Sequence, residues 1–269
     1  MESTALNTTA WQVPSHKLTE FAERRCRYCL CIPIINEGAR FQKQLAEIKR
    51  LGLTNLADLL ILDGGSTDGS TDPELLKKHG VRSLLVKTGP GKLGAQLRMG
   101  YAYALKEGYE GIVTVDGNGK DGVDAVPLFI KALDEGYDMV QGSRYQPGGA
   151  AINTPLMRKL AIHLVHVPVI RFKSGFHYTD TTNGFRGYSR RFLLDPRVQP
   201  FRDIFVTYEL LAYLSVRAPQ LGFRTLEVPV RREYPKTGKT PTKISPWKGN
   251  LLLLQILFAV MTGKLDPKS

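Results

Sequence analysis

Leu59-Leu60-Ile61-Leu62-Asp63-Gly64-Gly65-Ser66-Thr67-Asp68-Gly69-Ser70 is the stretch that decides the fold. Four aliphatic residues in a row suit a strand buried on both faces, and a carboxylate followed by a glycine-rich polar turn marks its end. The same unit recurs on either side. Tyr28 to Ile35 (YCLCIPII) is closed by Asn36-Glu37, and Gly111 to Val115 is closed by Asp116-Gly117-Asn118-Gly119-Lys120-Asp121. Val81 to Val86 reads as another strand, and Met139-Val140 begins one that leads into Gly142-Ser143-Arg144-Tyr145. Helical spacing fills the gaps: Phe41, Leu45, Ile48 and Leu51; a short helix over Ser70–Lys78; Lys92–Lys106 with Leu93, Leu97, Tyr101 and Leu105; and Val123–Glu135. Alternation of this kind predicts an α/β fold with a mostly parallel central sheet flanked by helices. Ligands of such sheets bind at the carboxyl ends of the strands, where the polar clusters fall.

After Pro147 the pattern loosens. Leu156–Ile170 reads as a helix that Pro168 should kink or end, Gly184–Tyr188 as a short strand, Tyr208–Ser215 as a helix and Leu226–Val230 as a strand. Tyr234–Pro246 is rich in Lys, Thr, Pro and Gly and reads as a loop. Trp247–Thr262 is a last apolar helix flanked by Lys248 and Lys264. The expected organisation is a polar arm over 1–26, one domain over 27–245 and a C-terminal helix and tail over 246–269.

Composition narrows the class. Of 269 residues 42% are apolar, enough for a packed core, which excludes global disorder. Three Cys exclude a disulfide scaffold and suit a reducing compartment. Cys29 and Cys31 alternate on a buried strand, and no second Cys/His pair is spaced for zinc. No basic start is followed by an apolar run, so no signal peptide is expected. The net charge is +12, and all of it lies in residues 151–269, since residues 1–150 carry 18 basic and 18 acidic side chains. A basic half calls for an anionic partner: nucleic acid, a membrane surface or a phosphorylated substrate.

The strand-end clusters carry the chemistry. In 63–70 the glycines let backbone approach a ligand, and Asp63 can accept hydrogen bonds from a base or ribose; the simpler reading is a turn with Ser66 or Asp68 capping the next helix. In 116–121, acidic and amide oxygens at alternating positions can hold a hard divalent cation beside phosphates; the simpler reading is an Asx turn. Two such clusters on one sheet favour a nucleotide–metal site. No GxxxxGK[ST] loop is present and no GxGxxG follows the first strand, which argues against an NTPase and a dinucleotide-dependent dehydrogenase.

Ile32-Pro33-Ile34-Ile35-Asn36-Glu37, the 63–70 cluster, Asp116-Gly117-Asn118 and Gly142-Ser143-Arg144-Tyr145 together resemble the ordered signature of inverting family-two glycosyltransferases with the Rossmann-like GT-A fold. Asp180-Thr181-Thr182-Asn183-Gly184-Phe185-Arg186 resembles the D-x-x-x-G-F-R segment of the dolichol- and polyprenyl-phosphate sugar transferase branch. Glu227-Val228-Pro229-Val230, then Gly238-Lys239 and Thr242-Lys243-Ile244, resemble its E-V-P-V and G-x-S-K-I elements.

The resemblance implies residue roles. Residues 27–150 become the nucleotide-sugar half and 151–245 the acceptor half. Pro33, Asn36 and Glu37 would line the nucleotide pocket, and Asp63 would bind the base or ribose of a GDP- or UDP-sugar. Lys92 and Arg98 would face the donor. Asp116, with Gly117 and Asn118, would hold Mg2+ or Mn2+ on the donor pyrophosphate. Two positions depart from the pattern: Asn118 replaces the second carboxylate of D-x-D, with Asp121 as a substitute, and Gly64 replaces the second Asp of D-D-G-S. Asp180 is the base if the acceptor is a hydroxyl of a glycan or glycolipid, since a hydroxyl must lose a proton. A phosphate acceptor is already an anion and needs orientation and charge balance; Asp180 then orients Arg186 or another basic residue. Arg144, Arg186, Arg232, Lys239 and Lys243 are the candidates for acceptor phosphate contacts.

The expected partners are therefore a nucleotide-sugar donor, a polyprenyl phosphate and an anionic membrane surface that the last helix would lie on. A membrane-protein partner or a second copy of the chain is an open option. The expected place is the cytoplasmic face of a membrane, peripherally bound. Nucleic-acid binding is the remote alternative, without an aromatic RNA motif or a DNA-reading helix to support it.

Overall fold

The computed structural model describes residues 6–235 and 246–267. In chain order the strands are β1 (His16–Glu20), β2 (Tyr28–Ile34), β3 (Ala57–Asp63), β4 (Val81–Lys87), β5 (Gly111–Thr114), β6 (Met139–Ser143), β7 (Ala150–Ile152), β8 (Arg186–Ser189), β9 (Thr225–Pro229) and β10 (Arg231–Glu233). The helices are α1 (Gly38–Arg50), α2 (Pro73–Lys78), α3 (Leu93–Lys106), α4 (Val126–Asp134), α5 (Leu156–Ala161), α6 (Val167–Ser174), α7 (Arg190–Leu194), α8 (Glu209–Gln220) and α9 (Pro246–Met261).

The main sheet has eight strands in the order β1-β4-β3-β2-β5-β8-β6-β9. β4, β3, β2 and β5 run parallel, as do β6 and β9; β8 is antiparallel between β5 and β6, and β1 is antiparallel at one edge. Every residue of β2 and β3 is buried, which is why both read as unbroken apolar runs. One core lies between the sheet and α3, α6, α8 and α9, and the other between the sheet and α1, α2 and α4. The carboxyl ends of β2, β3, β5 and β6 open on one edge, so the four polar clusters meet there. This is a GT-A-like α/β fold.

Three expectations need correction. Residues 1–26 are not merely an arm: His16–Glu20 pairs along β4 as an edge strand. All five of its residues are exposed, so no hydrophobic alternation betrays it. Pro168 does not end its helix. It follows directly on a wide π-type turn over Ile162–His166, which interrupts the α-helical hydrogen bonding next to the residue that has no N–H to give, and the helix runs on to Ser174. The short pairs β7 and β10 form a separate two-stranded ribbon that the sequence reading did not anticipate. Cys29 and Cys31 are buried as expected.

α9 packs Ile256, Leu257 and Val260 onto the core and turns Leu251, Leu254 and Phe258 outward. Among the described residues no helix is long and apolar enough to cross a membrane.

Candidate active site

The strand-end loops are knitted together before any ligand is considered. Asp63 accepts from the backbone N–H of Gly65 at 2.9 Å and of Ser66 at 2.9 Å, and from the Ser66 hydroxyl at 2.5 Å. It is buried and organises the Gly-Gly-Ser turn, so the base-binding role expected of it would need this turn to open. Asn36, with φ of 49°, donates its N–H to Ser66 Oγ and accepts from the Thr67 N–H. Asp72, rather than Ser66 or Asp68, caps α2.

Gln96, which the sequence reading passed over, reaches from α3 to the carbonyls of Ile34 and Leu62, both at 2.9 Å. It also accounts for the glycine at 64: a Cβ there would lie 3.1 Å from Gln96 Nε2 and 3.3 Å from the Ile35 Cβ. Gln96 therefore occupies the space a second Asp would need. Pro33 is buried in β2, and its carbonyl accepts from the Gly117 N–H at 3.1 Å. A Cβ at Gly117 would be 2.3 Å from the Ile34 side chain. Pro33 thus seats the start of the 116–121 loop through its backbone carbonyl. Glu37 pairs with Arg40.

Asp116 follows β5 and is the partly exposed carboxylate at the centre. Its Oδ2 accepts from Arg232 Nη2 at 3.2 Å and from Asn118 Nδ2 at 3.2 Å. Its Oδ1 lies against Gly184, where a Cβ would come within 2.9 Å. The glycine of the 180–186 motif is there to admit Asp116. Asp121 is fully buried and held by the other terminal nitrogen of Arg232. Burial pushes its carboxyl above the ordinary range, against the pull of Arg232. Asp121 is therefore not a ready replacement for the carboxylate missing at Asn118.

Asp180 is buried and chelated by Arg144, whose Nε and Nη2 lie 2.6 and 2.8 Å from its two oxygens. Burial would raise this carboxyl, but the Arg144 guanidinium and the Thr182 and Arg144 backbone N–H groups hold it below the ordinary range. Glu227 supports the pair from β9: it accepts from the N–H groups of Thr179 at 2.7 Å and Asp180 at 2.9 Å. The E-V-P-V glutamate is thus the anchor of the 179–183 loop.

Several candidates are elsewhere than expected. Arg186 is buried and donates to the carbonyls of Thr181, Asn183 and Leu211 and to the Ser215 hydroxyl; it braces the loop and is not presented to a phosphate. Arg98 donates to the carbonyls of Phe205 and Gln12. Glu209, the first residue of α8, accepts from the N–H and the hydroxyl of Thr207 just ahead of the helix. Lys92 is exposed at the start of α3. Lys239 and Lys243 lie outside the described residues.

Residues 29–195 match the profile described as glycosyl transferase family 2. The chain belongs to that family. It is 30% identical over 175 residues to the polyprenol monophosphomannose synthase of Mycolicibacterium smegmatis, covering 64% of this chain and 65% of that protein. It is 30% identical to the undecaprenyl-phosphate mannosyltransferase of Micrococcus luteus, covering 65% of this chain and 71% of the relative. It is 28% identical to the dolichyl-phosphate hexose transferase of Haloferax volcanii, covering 80% and 85%. The chain thus spans just under two thirds of the mycobacterial relative's length. Among solved structures, glucosyl-3-phosphoglycerate synthase of Mycobacterium tuberculosis, in complex with Mn2+, UDP and phosphoglyceric acid, superposes with a TM-score of 0.62 at 18% identity, covering 90% of this chain and 80% of that one. The fold of this chain is that of the GT-A type.

Proposed function

We propose that this glycosyltransferase moves a sugar from a GDP- or UDP-sugar to a polyprenyl phosphate at a membrane surface, with inversion. The observation that carries this is the state of Asp180. Both its oxygens are engaged by Arg144 and it has no exposed surface. A buried carboxylate with both oxygens held by Arg144 is poorly placed to take a proton from an incoming hydroxyl, which favours a phosphate acceptor over the reading with Asp180 as base. A phosphate acceptor needs none, because its oxygen already carries the charge that attacks.

The relatives of M. smegmatis, M. luteus and H. volcanii bear names of polyprenyl- or dolichyl-phosphate sugar transferases, which supports the same acceptor class. A peripheral membrane position is supported by α5 and α6. Between Asn153 and Asp180 the chain has no acidic residue and carries Arg158, Lys159, Arg171 and Lys173. Leu156, Met157, Leu164 and Phe172 point outward, Phe172 at 80% exposure. The same segment touches the site: Arg158 donates to the Tyr234 hydroxyl at 2.8 Å, and His166 bonds Thr181 Oγ1 at 2.7 Å. A lipid held by its tail on this face has its phosphate beside the 180–186 loop.

Among the described residues no three His, Cys, Asp or Glu side chains cluster as metal ligands. Asp116 offers a partly exposed carboxylate to a hard cation, and Asn118 could add its amide oxygen, which accepts from the Lys120 N–H, once the amide turns from Asp116. The solved relatives of this fold include complexes with Mn2+ and with Mg2+. Held by Asp116 and Asn118, such a cation would supply positive charge to the departing nucleoside diphosphate. The protein's own part is to seat the donor on the joined 36–37, 63–70 and 116–118 loops and to hold the acceptor loop rigid through Arg144, Asp180, Glu227 and Arg186. A donor panel with Mg2+ or Mn2+ and short polyprenyl phosphates tests the reading. Nucleoside diphosphate release should depend on the lipid phosphate; equal release with a polyprenol or a free glycan would overturn it.

A further inference from the structure

Arg232 stands among the carboxylate oxygens of the candidate donor site. Its guanidinium bridges Asp116 and Asp121, and its side chain is 8% exposed. Backbone fixes it there from both sides. Gly122 donates to the Arg231 carbonyl at 2.9 Å, Glu233 donates to the Lys120 carbonyl at 2.8 Å, and Asp121 and Arg232 face each other across a β-bridge. β10 in turn pairs with β7, with Arg232 opposite Ala151. The bridge is part of the fold, not a surface side chain that drifted into the site.

The charge balance differs from that of a two-carboxylate motif. Two carboxylates present two negative charges, which a divalent cation neutralises. Here Asp116 and Asp121 are set among Arg232 and the buried Lys120, so the protein supplies both signs itself. The second carboxylate of the motif is an amide, Asn118, and that amide turns its nitrogen to Asp116. Less negative charge is left to draw a cation in, and a cation is already present. A guanidinium has five N–H donors in a planar fork that suits phosphate oxygens, and Asp116 and Asp121 each take one of its terminal nitrogens.

We infer that Arg232 is a resident cation of the donor-diphosphate site, placed by Asp121 to stand beside the departing diphosphate and to lessen the demand for divalent metal. The inference rests on the reading of Asp116 as the donor-site carboxylate. Asp121 acts through Arg232 and is a positioning residue. The amide at Asn118 and the guanidinium of Arg232 then work together: part of the positive charge at the site is built into β10 instead of being delivered by a dissociable ion.

The test is binding, not turnover. UDP and GDP are titrated calorimetrically into the full chain in EDTA and again with Mn2+, and Mn2+ affinity is read separately from the electron paramagnetic resonance of the free ion. The wild type should bind one of the two nucleotides in EDTA within about tenfold of its affinity with Mn2+. Arg232→Gln should weaken the metal-free binding by about tenfold or more and tighten Mn2+, while Arg232→Lys retains part of the metal-free binding. Asn118→Asp changes a partly exposed loop residue and keeps the test decisive if Arg232→Gln does not fold. It should tighten Mn2+ by about tenfold without improving nucleotide binding in EDTA. Nucleotide binding that requires Mn2+ in the wild type, with Mn2+ affinity unmoved in Arg232→Gln or Asn118→Asp, overturns the role of Arg232. Failure to bind either nucleotide with or without Mn2+ overturns instead the donor-site reading beneath it.

Discussion

Arg144 grips Asp180 through two parallel hydrogen bonds, and neither side chain is more than 2% exposed. These residues lie 36 positions apart, at the end of β6 and in the loop before β8, so the pair welds two strand ends into one wall of the site. Removing one member of a buried pair leaves the other charge uncompensated, which costs about 3–5 kcal/mol. Asp180→Asn should therefore lower unfolding stability by that amount in denaturant titration and impair turnover along with it. Full stability with abolished turnover would restore Asp180 as a base.

Gly64 makes a second prediction. Aspartate there restores the sequence motif but drives a side chain into Gln96 and Ile35. Crowding of a packed site costs about 1–3 kcal/mol. Gly64→Asp should be destabilised by that much, and Gly64→Asp with Gln96→Ala should recover most of it. Additive losses in this double-mutant cycle would show that the two positions do not compete for one space.

What the sequence showed and what it hid follow from the physics of each element. Parallel strands buried on both faces must be apolar throughout, so β2, β3 and β5 were legible, and with them the polar loops at their ends. β1 was not, because an edge strand with five exposed residues has no face to bury. Sequence alone suggests Arg186 for a phosphate and Arg98 for the donor, yet both donate to backbone carbonyls. A guanidinium that braces a loop and one that awaits a ligand look alike in sequence. The partners of Arg144 and Arg232 lie 36 and more than 100 residues away, and only the sheet order brings them together.

The outward apolar face of α5 and α6 predicts vesicle binding. Burying one large apolar side chain contributes about 1.5–3 kcal/mol, or tenfold or more in affinity. Leu164→Glu and Phe172→Ser change exposed positions and should leave the fold intact while cutting flotation with anionic vesicles by about tenfold each. Binding should also weaken with salt, because Arg158, Lys159, Arg171 and Lys173 contribute through headgroup charge. Vesicle binding unchanged in both variants would place the membrane contact elsewhere.

His166 gives the last prediction its sign. Burial, helped by the Arg186 charge, lowers its pKa to about 4, while it bonds Thr181 across the edge of the acceptor loop. The unfolded chain binds a proton at this residue near pH 6.5, and the folded chain resists doing so until pH 4. The unfolded state therefore holds more protons between those values, and stability falls as pH falls through that window. From pH 7 to 5 the loss should be about 1–2 kcal/mol, given that the ring is not wholly closed off from solvent. His166→Gln keeps a polar group for Thr181 and removes the titration. Its unfolding free energy should thus lose about 1–2 kcal/mol less than the wild type over the same interval. Chemical denaturation at the two pH values measures this directly, and parallel pH profiles for the two proteins would show that the ring is protonated as readily in the folded chain as outside it.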